Sequence, residues 1–296
     1  MGTVVERVEV IRGNWRTRHS ALHLAVAVAK TCLHHDSRNA DEVDLLINAG
    51  IYRDHNLAEP ALAALIQEDI GANTEVPHGH GHGTFSFDVA NGACGVLTAL
   101  QIIDGFLRSR TINCALVVAS DADPGHGRSE GFPFSPAGAA MLCDWRDDDL
   151  GLSRVHWMNM PDDGENFRAT VGLHDSHNVL RFSASTDRDE HFASAGAEVV
   201  RRCLHEANLT MSDIDIIVAA PPRAGYRAAL ARRLAVPVER IVVAHDERMH
   251  TAALPWALYD VSDQLPPGSR ILLVATGAGI TAGAALYRTT QPRSRT

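Results

Sequence analysis

A short apolar stretch with its lead-in occurs twice in this chain. Ala40-Asp41-Glu42-Val43-Asp44-Leu45-Leu46-Ile47 is echoed by Met211-Ser212-Asp213-Ile214-Asp215-Ile216-Ile217-Val218. A second pair follows in the same order, Ala137-Gly138-Ala139-Ala140-Met141-Leu142 and Ala282-Gly283-Ala284-Ala285-Leu286-Tyr287. Two matches in one order indicate a duplicated unit, and a duplicated unit restricts the fold to two similar lobes packed together. The break falls in the Asp- and Gly-rich segment 144–166. We therefore expect an N-terminal lobe over residues 1–145 and a C-terminal lobe over 146–296.

Each lobe reads as alternating strand and helix. Strands are expected at Val8–Ile11, Val43–Asn48, Phe85–Val89, Cys114–Ala119 and Ala137–Cys143, then at Val179–Phe182, Ile214–Ala219, Arg240–Val243, Ile271–Ala275 and Ala282–Tyr287. Helices are expected at Ser20–His34, Glu59–Ile70, Ala93–Leu107, His191–Ala207, Arg223–Leu234 and His250–Gln264. That alternation is an α/β pattern with mostly parallel strands. Runs such as Val-Asp-Leu-Leu-Ile and Ile-Leu-Leu-Val suit strands covered on both faces.

The chain's 296 residues suffice for two domains, and a 45 % hydrophobic content excludes global disorder. With 27 Lys and Arg against 36 Asp and Glu, the net charge of −9 argues against general nucleic-acid binding. No apolar run reaches the ~18–20 residues of a membrane span. The first residues, MGTVVERVEV, lack a signal-peptide layout. Five widely spaced cysteines without a CxxC argue against a disulfide framework or zinc ribbon, and for a reducing cytoplasm.

Duplication also nominates a site. Each half carries one long helix leading to its penultimate strand, starting near Cys94 in one and near His250 in the other. Pseudo-twofold packing brings these two N-termini together. Unpaired N–H groups and a partial positive charge at such a terminus favour a cysteine thiolate.

Phe87-Asp88-Val89-Ala90-Asn91-Gly92-Ala93-Cys94-Gly95 resembles the nucleophile segment of the thiolase superfamily, and most closely that of the ketoacyl-ACP synthase III group. Phe134-Ser135-Pro136-Ala137-Gly138-Ala139-Ala140 resembles the Gly/Ala-rich segment downstream of it, and Thr276-Gly277-Ala278-Gly279-Ile280-Thr281-Ala282-Gly283 resembles the near-terminal glycine loop. The likeness runs from about residue 20 to the end. It implies the five-layered αβαβα thiolase fold, usually a homodimer, acting on thioesters of coenzyme A or of phosphopantetheine on an acyl carrier protein, with no tightly bound cofactor and no metal. The family's usual triad is Cys-His-Asn. Cys94 keeps its cysteine. Pro221-Pro222-Arg223-Ala224-Gly225 stands where the family has Pro-His-Gln-Ala-Asn, so the histidine position reads Pro222. His250-Thr251-Ala252-Ala253 stands where it has Asn-Thr-Ser-Ala, so the asparagine position reads His250.

The chemistry follows from these residue types. Cys94 is the expected nucleophile and His250 the expected base, with His245 as the alternative imidazole. Backbone N–H groups of Cys94 and of the Gly277–Gly279 loop are candidate oxyanion donors. An enolate steadied by two side chains is harder to support with proline at position 222. The favoured expectation is thus transfer of an acyl group through an acyl-Cys94 enzyme to an amine or alcohol, as in secondary metabolism. The alternatives are decarboxylative carbon–carbon condensation and a catalytically silent partner of a ketosynthase heterodimer. Arg223 and Arg227, with Arg232 and Arg233, form either a solvated basic face or a dock for a carrier protein or coenzyme A phosphates. His78, His80 and His82 alternate with glycine. This string reads as a surface loop rather than a zinc site, since glycine leaves the ligands unanchored.

Overall fold

The computed structural model describes residues 2–56, 59–73, 83–162 and 164–290; the histidine string at 78–82 lies outside them. The first lobe runs β1 (Gly2–Arg12), α1 (Ala21–His35), β2 (Leu45–Asn48), α2 (Leu62–Ile70), β3 (Phe85–Asp88), α3 (Gly95–Arg108), β4 (Ala115–Asp121) and β5 (Ala137–Arg146). After β6 (Gly151–Leu152), β7 (His156–Asn159), β8 (Phe167–His174) and β9 (His177–Ala184), the second lobe runs α4 (Arg188–Glu206), β10 (Ile216–Ala220), α5 (Ala224–Leu234), β11 (Ile241–Val242), α6 (Ala253–Ser262), β12 (Arg270–Gly277) and β13 (Thr281–Arg288).

The two sheets repeat one plan. The first has the order β1-β5-β4-β2-β3, the second β11-β10-β12-β13-β6 with β7 also on β13. In each, three strands are parallel (β4, β2, β3; β12, β10, β11) and the last returns antiparallel to the central one (β5 on β4; β13 on β12). The echoed segments occupy matching places: Ala40–Glu42 and Met211–Asp213 are both single 3₁₀ turns before β2 and β10. In each sheet one strand, β5 or β13, runs against the others, which share one direction. β13 returns on β12 after the short turn 278–280, as a tight return requires, whereas β5 returns on β4 after the longer segment 122–136.

The five layers follow from which faces are apolar. Helices α1 and α2 cover the outer face of the first sheet around Val28, Leu46, Ile66 and Leu116. Helices α4 and α5 cover the second around Val199, Ile217, Leu230 and Leu272. Between the sheets lie α3 and α6. In α3 the buried residues Val96, Leu97, Leu100, Ile103 and Leu107 recur at helical spacing and share one core with Ala257 and Leu258 of α6. The lobes are tied directly as well: Val5 N–H donates to the Tyr287 hydroxyl at 3.1 Å, and Trp157 Nε1 to Gln101 Oε1 at 2.6 Å. α1 begins at Ser20, whose side chain accepts from His23 N–H.

The polar segment 144–166 contains two short strands, β6 and β7, that extend the second sheet along β13. The expected strand Val179–Phe182 is one arm of a hairpin, β8–β9, which stands apart from both main sheets.

Candidate active site

After β3 the chain turns sharply through Gly92, whose φ of +49° lies in the region that favours glycine, and enters α3 with Cys94 as its N-cap. The turn drives Cys94 inward. Its sulfur is 0 % exposed and donates to the Thr281 carbonyl at 3.4 Å. Gly277 lies against it, so close that a Cβ there would sit 3.6 Å from Sγ. Burial pushes the thiol up to about 12. The expected favouring of the thiolate is thus corrected: loss of water outweighs the helix terminus, and no cation offsets it. The Cys94 N–H, expected as an oxyanion donor, is engaged by the Asn91 carbonyl at 2.9 Å. Of the two loop glycines, Gly277 is buried beside the sulfur, whereas Gly279 (φ +67°) is exposed in open space.

His250 stands just before α6 and is brought to this turn. The point where a Cβ on Gly92 would lie is 3.5 Å from His250 Nε2, so that nitrogen faces the cysteine turn. The ring stacks on Phe134 (centroids 4.2 Å apart) and leans on Tyr52. On its other side, Nδ1 is 3.3 Å from Asp121 Oδ2 at the end of β4. Asp121 is buried and receives several donors: Ile51 and Tyr52 N–H on Oδ1 (3.2 and 2.9 Å), Thr251 N–H and Oγ1 on Oδ2 (2.9 and 2.5 Å). Burial raises its carboxyl, but the His250 charge and these hydrogen bonds prevail and hold it below the usual range. The Asp121 carboxylate thus lies on the Nδ1 side of the ring, and Nε2 is the nitrogen turned to the cysteine turn.

These groups border a cavity of about 610 Å³ between the lobes. Tyr52, Gly92, Ala93 and Phe134 line it from one side; Phe167, Phe192, Pro221, His250 and Gly277 from the other. Among its described lining residues His250 is the one imidazole. His245 is half exposed, packed edge-on to Trp256 and 4.0 Å from Asp260, away from the cavity. Pro222 is buried, and Pro221 forms the wall. The two nominated arginines separate. Arg223 lines the cavity with Nε bonded to Asp189 Oδ1 (2.6 Å), while Arg227 Nε donates to the Ile241 carbonyl at 2.6 Å and is not part of the lining. Arg232 and Arg233 pair with Glu190. Among the described residues no group of three or more His, Cys, Asp or Glu could hold a metal, and no helix is long and apolar enough to cross a membrane.

Sequence reasoning missed Asp121 and Arg188. For Asp121 a signal existed: it is an acidic residue at the carboxyl end of an otherwise apolar strand, where α/β sheets place ligand-facing groups. Arg188, which also lines the cavity, had no such mark.

Residues 204–289 match the family described as 3-oxoacyl-[acyl-carrier-protein] synthase III, C terminal. The beta-ketoacyl-[acyl-carrier-protein] synthase III of Koribacter versatilis is 28 % identical over 291 residues, covering 91 % of this chain and 83 % of the relative. The 3-oxoacyl-(acyl carrier protein) synthase III structure from Pseudomonas aeruginosa superposes with a TM-score of 0.81 at 18 % identity, covering 99 % of this chain and 100 % of that one. The priming β-ketosynthase of the R1128 polyketide pathway gives 0.80 at 18 %, covering 98 % and 97 %. Two lobes of one plan, five layers and these likenesses converge: the chain has the thiolase fold and is similar to ketoacyl-ACP synthase III proteins over most of its length.

Proposed function

We propose that the chain is an acyltransferase that loads an acyl group onto Cys94 from a coenzyme A or acyl-carrier-protein thioester and passes it to an amine or alcohol. The observation that carries this reading is the one imidazole among the cavity's described lining residues: His250, beside Asp121, with Nε2 toward the cysteine turn. The Koribacter relative's name, with its acyl-carrier-protein substrate, supports the donor class. In the first half-reaction the Cys94 sulfur bonds to the thioester carbonyl carbon. Its proton passes through His250 Nε2 to the departing pantetheine sulfur. In the second, the acceptor N–H or O–H gives its proton to Nε2 as the new bond forms, and that proton returns to the Cys94 sulfur as the acyl–sulfur bond breaks. Gly277, without a side chain, leaves room for the carbonyl beside the sulfur. A homodimer in the cytoplasm completes the proposal.

Incubation with acyl-CoA donors followed by intact mass tests it. The expected result is one acyl adduct, absent from Cys94→Ala, and an acyl-release step to added amines that falls ~10²–10⁴-fold in His250→Ala. An adduct that survives Cys94→Ala overturns the reading. Carbon dioxide release from malonyl donors replaces it with condensation, and no adduct on the wild-type protein replaces it with a silent partner subunit.

A further inference from the structure

The chain carries a net charge of −9, yet one end of the cavity is cationic. Arg188, the first residue of α4, and Arg223, just before α5, both line it, beside Phe167, Phe192 and Pro221. One carboxylate, Asp189, serves them, and its Oδ1 is bonded to Arg223. Arg168 and Arg248 line the same cavity with Glu247, so arginines outnumber carboxylates along its wall. Arg188 makes no ion pair among the described residues. Its Nε is buried without a hydrogen-bond partner, and its guanidinium lies over the Phe167 ring at 5.5 Å. It also stands in the first turn of a helix, where a cation opposes the helix dipole. Burial and then the neighbouring Arg223 charge hold it below the ordinary arginine value. A guanidinium kept there unpaired, against its own helix, is costly unless a ligand completes it.

Resting on the acyl-transfer reading, we propose that Arg188, with Arg223 behind it, binds a carboxylate of the substrate, so that the enzyme's acyl group or its acceptor carries a free carboxyl at the end remote from the reacting carbonyl. The Arg188 guanidinium, without an ion pair among the described residues, suits one carboxylate, and its planar fork offers paired N–H donors to it. The aromatic wall of Phe167 and Phe192 encloses the short apolar stem between the two ends.

The experiment measures equilibrium binding to the Cys94→Ala protein, which needs no turnover. Two matched pairs serve as probes: succinyl-CoA against butyryl-CoA by calorimetry, and β-alanine against propylamine by ligand-observed NMR. The expected result is a preference of roughly 10- to 100-fold for the carboxylate member of one pair, which assigns the carboxyl to acyl group or acceptor. That preference collapses in Arg188→Leu and is partly restored in Arg188→Lys, with unchanged circular dichroism in both. No preference in either pair overturns the proposal. So does an equal loss for succinyl-CoA and butyryl-CoA in Arg188→Leu, which instead assigns Arg188 to the coenzyme's phosphates. If the preference holds while the wild-type protein forms no acyl adduct, the carboxylate site stands and the acyl-transfer reading fails.

Discussion

At the scale of single residues, Asp121 is the hinge between structure and chemistry. The same carboxylate terminates β4, accepts N–H groups from the Ile51–Tyr52 loop, anchors Thr251 and sits against His250. Asp121→Asn keeps the shape but turns one acceptor into a donor facing donors. We expect a stability loss of roughly 1–3 kcal/mol by urea unfolding. We also expect acyl transfer to fall by about 10³–10⁴, with the imidazole ¹⁵N signals showing that Nδ1 no longer holds the proton exclusively. Unchanged tautomer signals together with unchanged transfer would discard the orienting role. His250, Cys94 and Gly277 were legible in the sequence because each lies in a short stretch with a recognisable neighbour pattern. The pairing of Asp121 with the His250 segment was not, since Thr251 is 130 residues away and only the sheet's closure brings them together.

At the scale of elements, the seam between the lobes is where size is least negotiable. Gly283 of β13 faces Trp157 and Leu97; a Cβ there would lie 2.5 Å from Trp157 Cζ3 and 2.8 Å from Leu97 Cδ2. Gly283→Ala is expected to lower stability by about 1–3 kcal/mol through overpacking, and Gly283→Ala with Leu97→Ala to recover part of it in a double-mutant cycle. Additive losses would show that the two positions do not compete for one space. The six helices and the apolar strands were readable because their periodicities are strong. The short strands β6 and β7 were not: two and four residues inside a polar segment carry no alternation, and they exist because β13 offers them an edge. The reversed strands β5 and β13 were not readable either, since apolar content reports burial and not which way a strand runs.

For the whole molecule, the buried thiols and phenols set an alkaline limit. All five cysteines are free and buried. Burial pushes Cys94 and Cys114 up to about 12 and Cys203 up to about 11, and it raises Tyr52, Tyr226 and Tyr287 as well. Folded, these groups keep their protons; unfolded, the thiols lose theirs near their usual value of about 9. Their contribution is therefore whole below pH 9 and lost as pH rises toward the folded values. Each such group costs about 1.4 kcal/mol per pH unit across its window. The urea midpoint, measured with reductant present, is expected to fall steeply between pH 9 and 11. A flat profile over that range would mean that the thiols ionise as easily folded as unfolded.

The cavity draws its walls from both ends of the chain, from Tyr52 to Gly277. During synthesis the thiol therefore leaves the ribosome long before the residues that roof it over. Until then a nascent chain has no chamber in which a thioester could be held, so premature chemistry on an unfinished polypeptide is disfavoured by the order of translation itself.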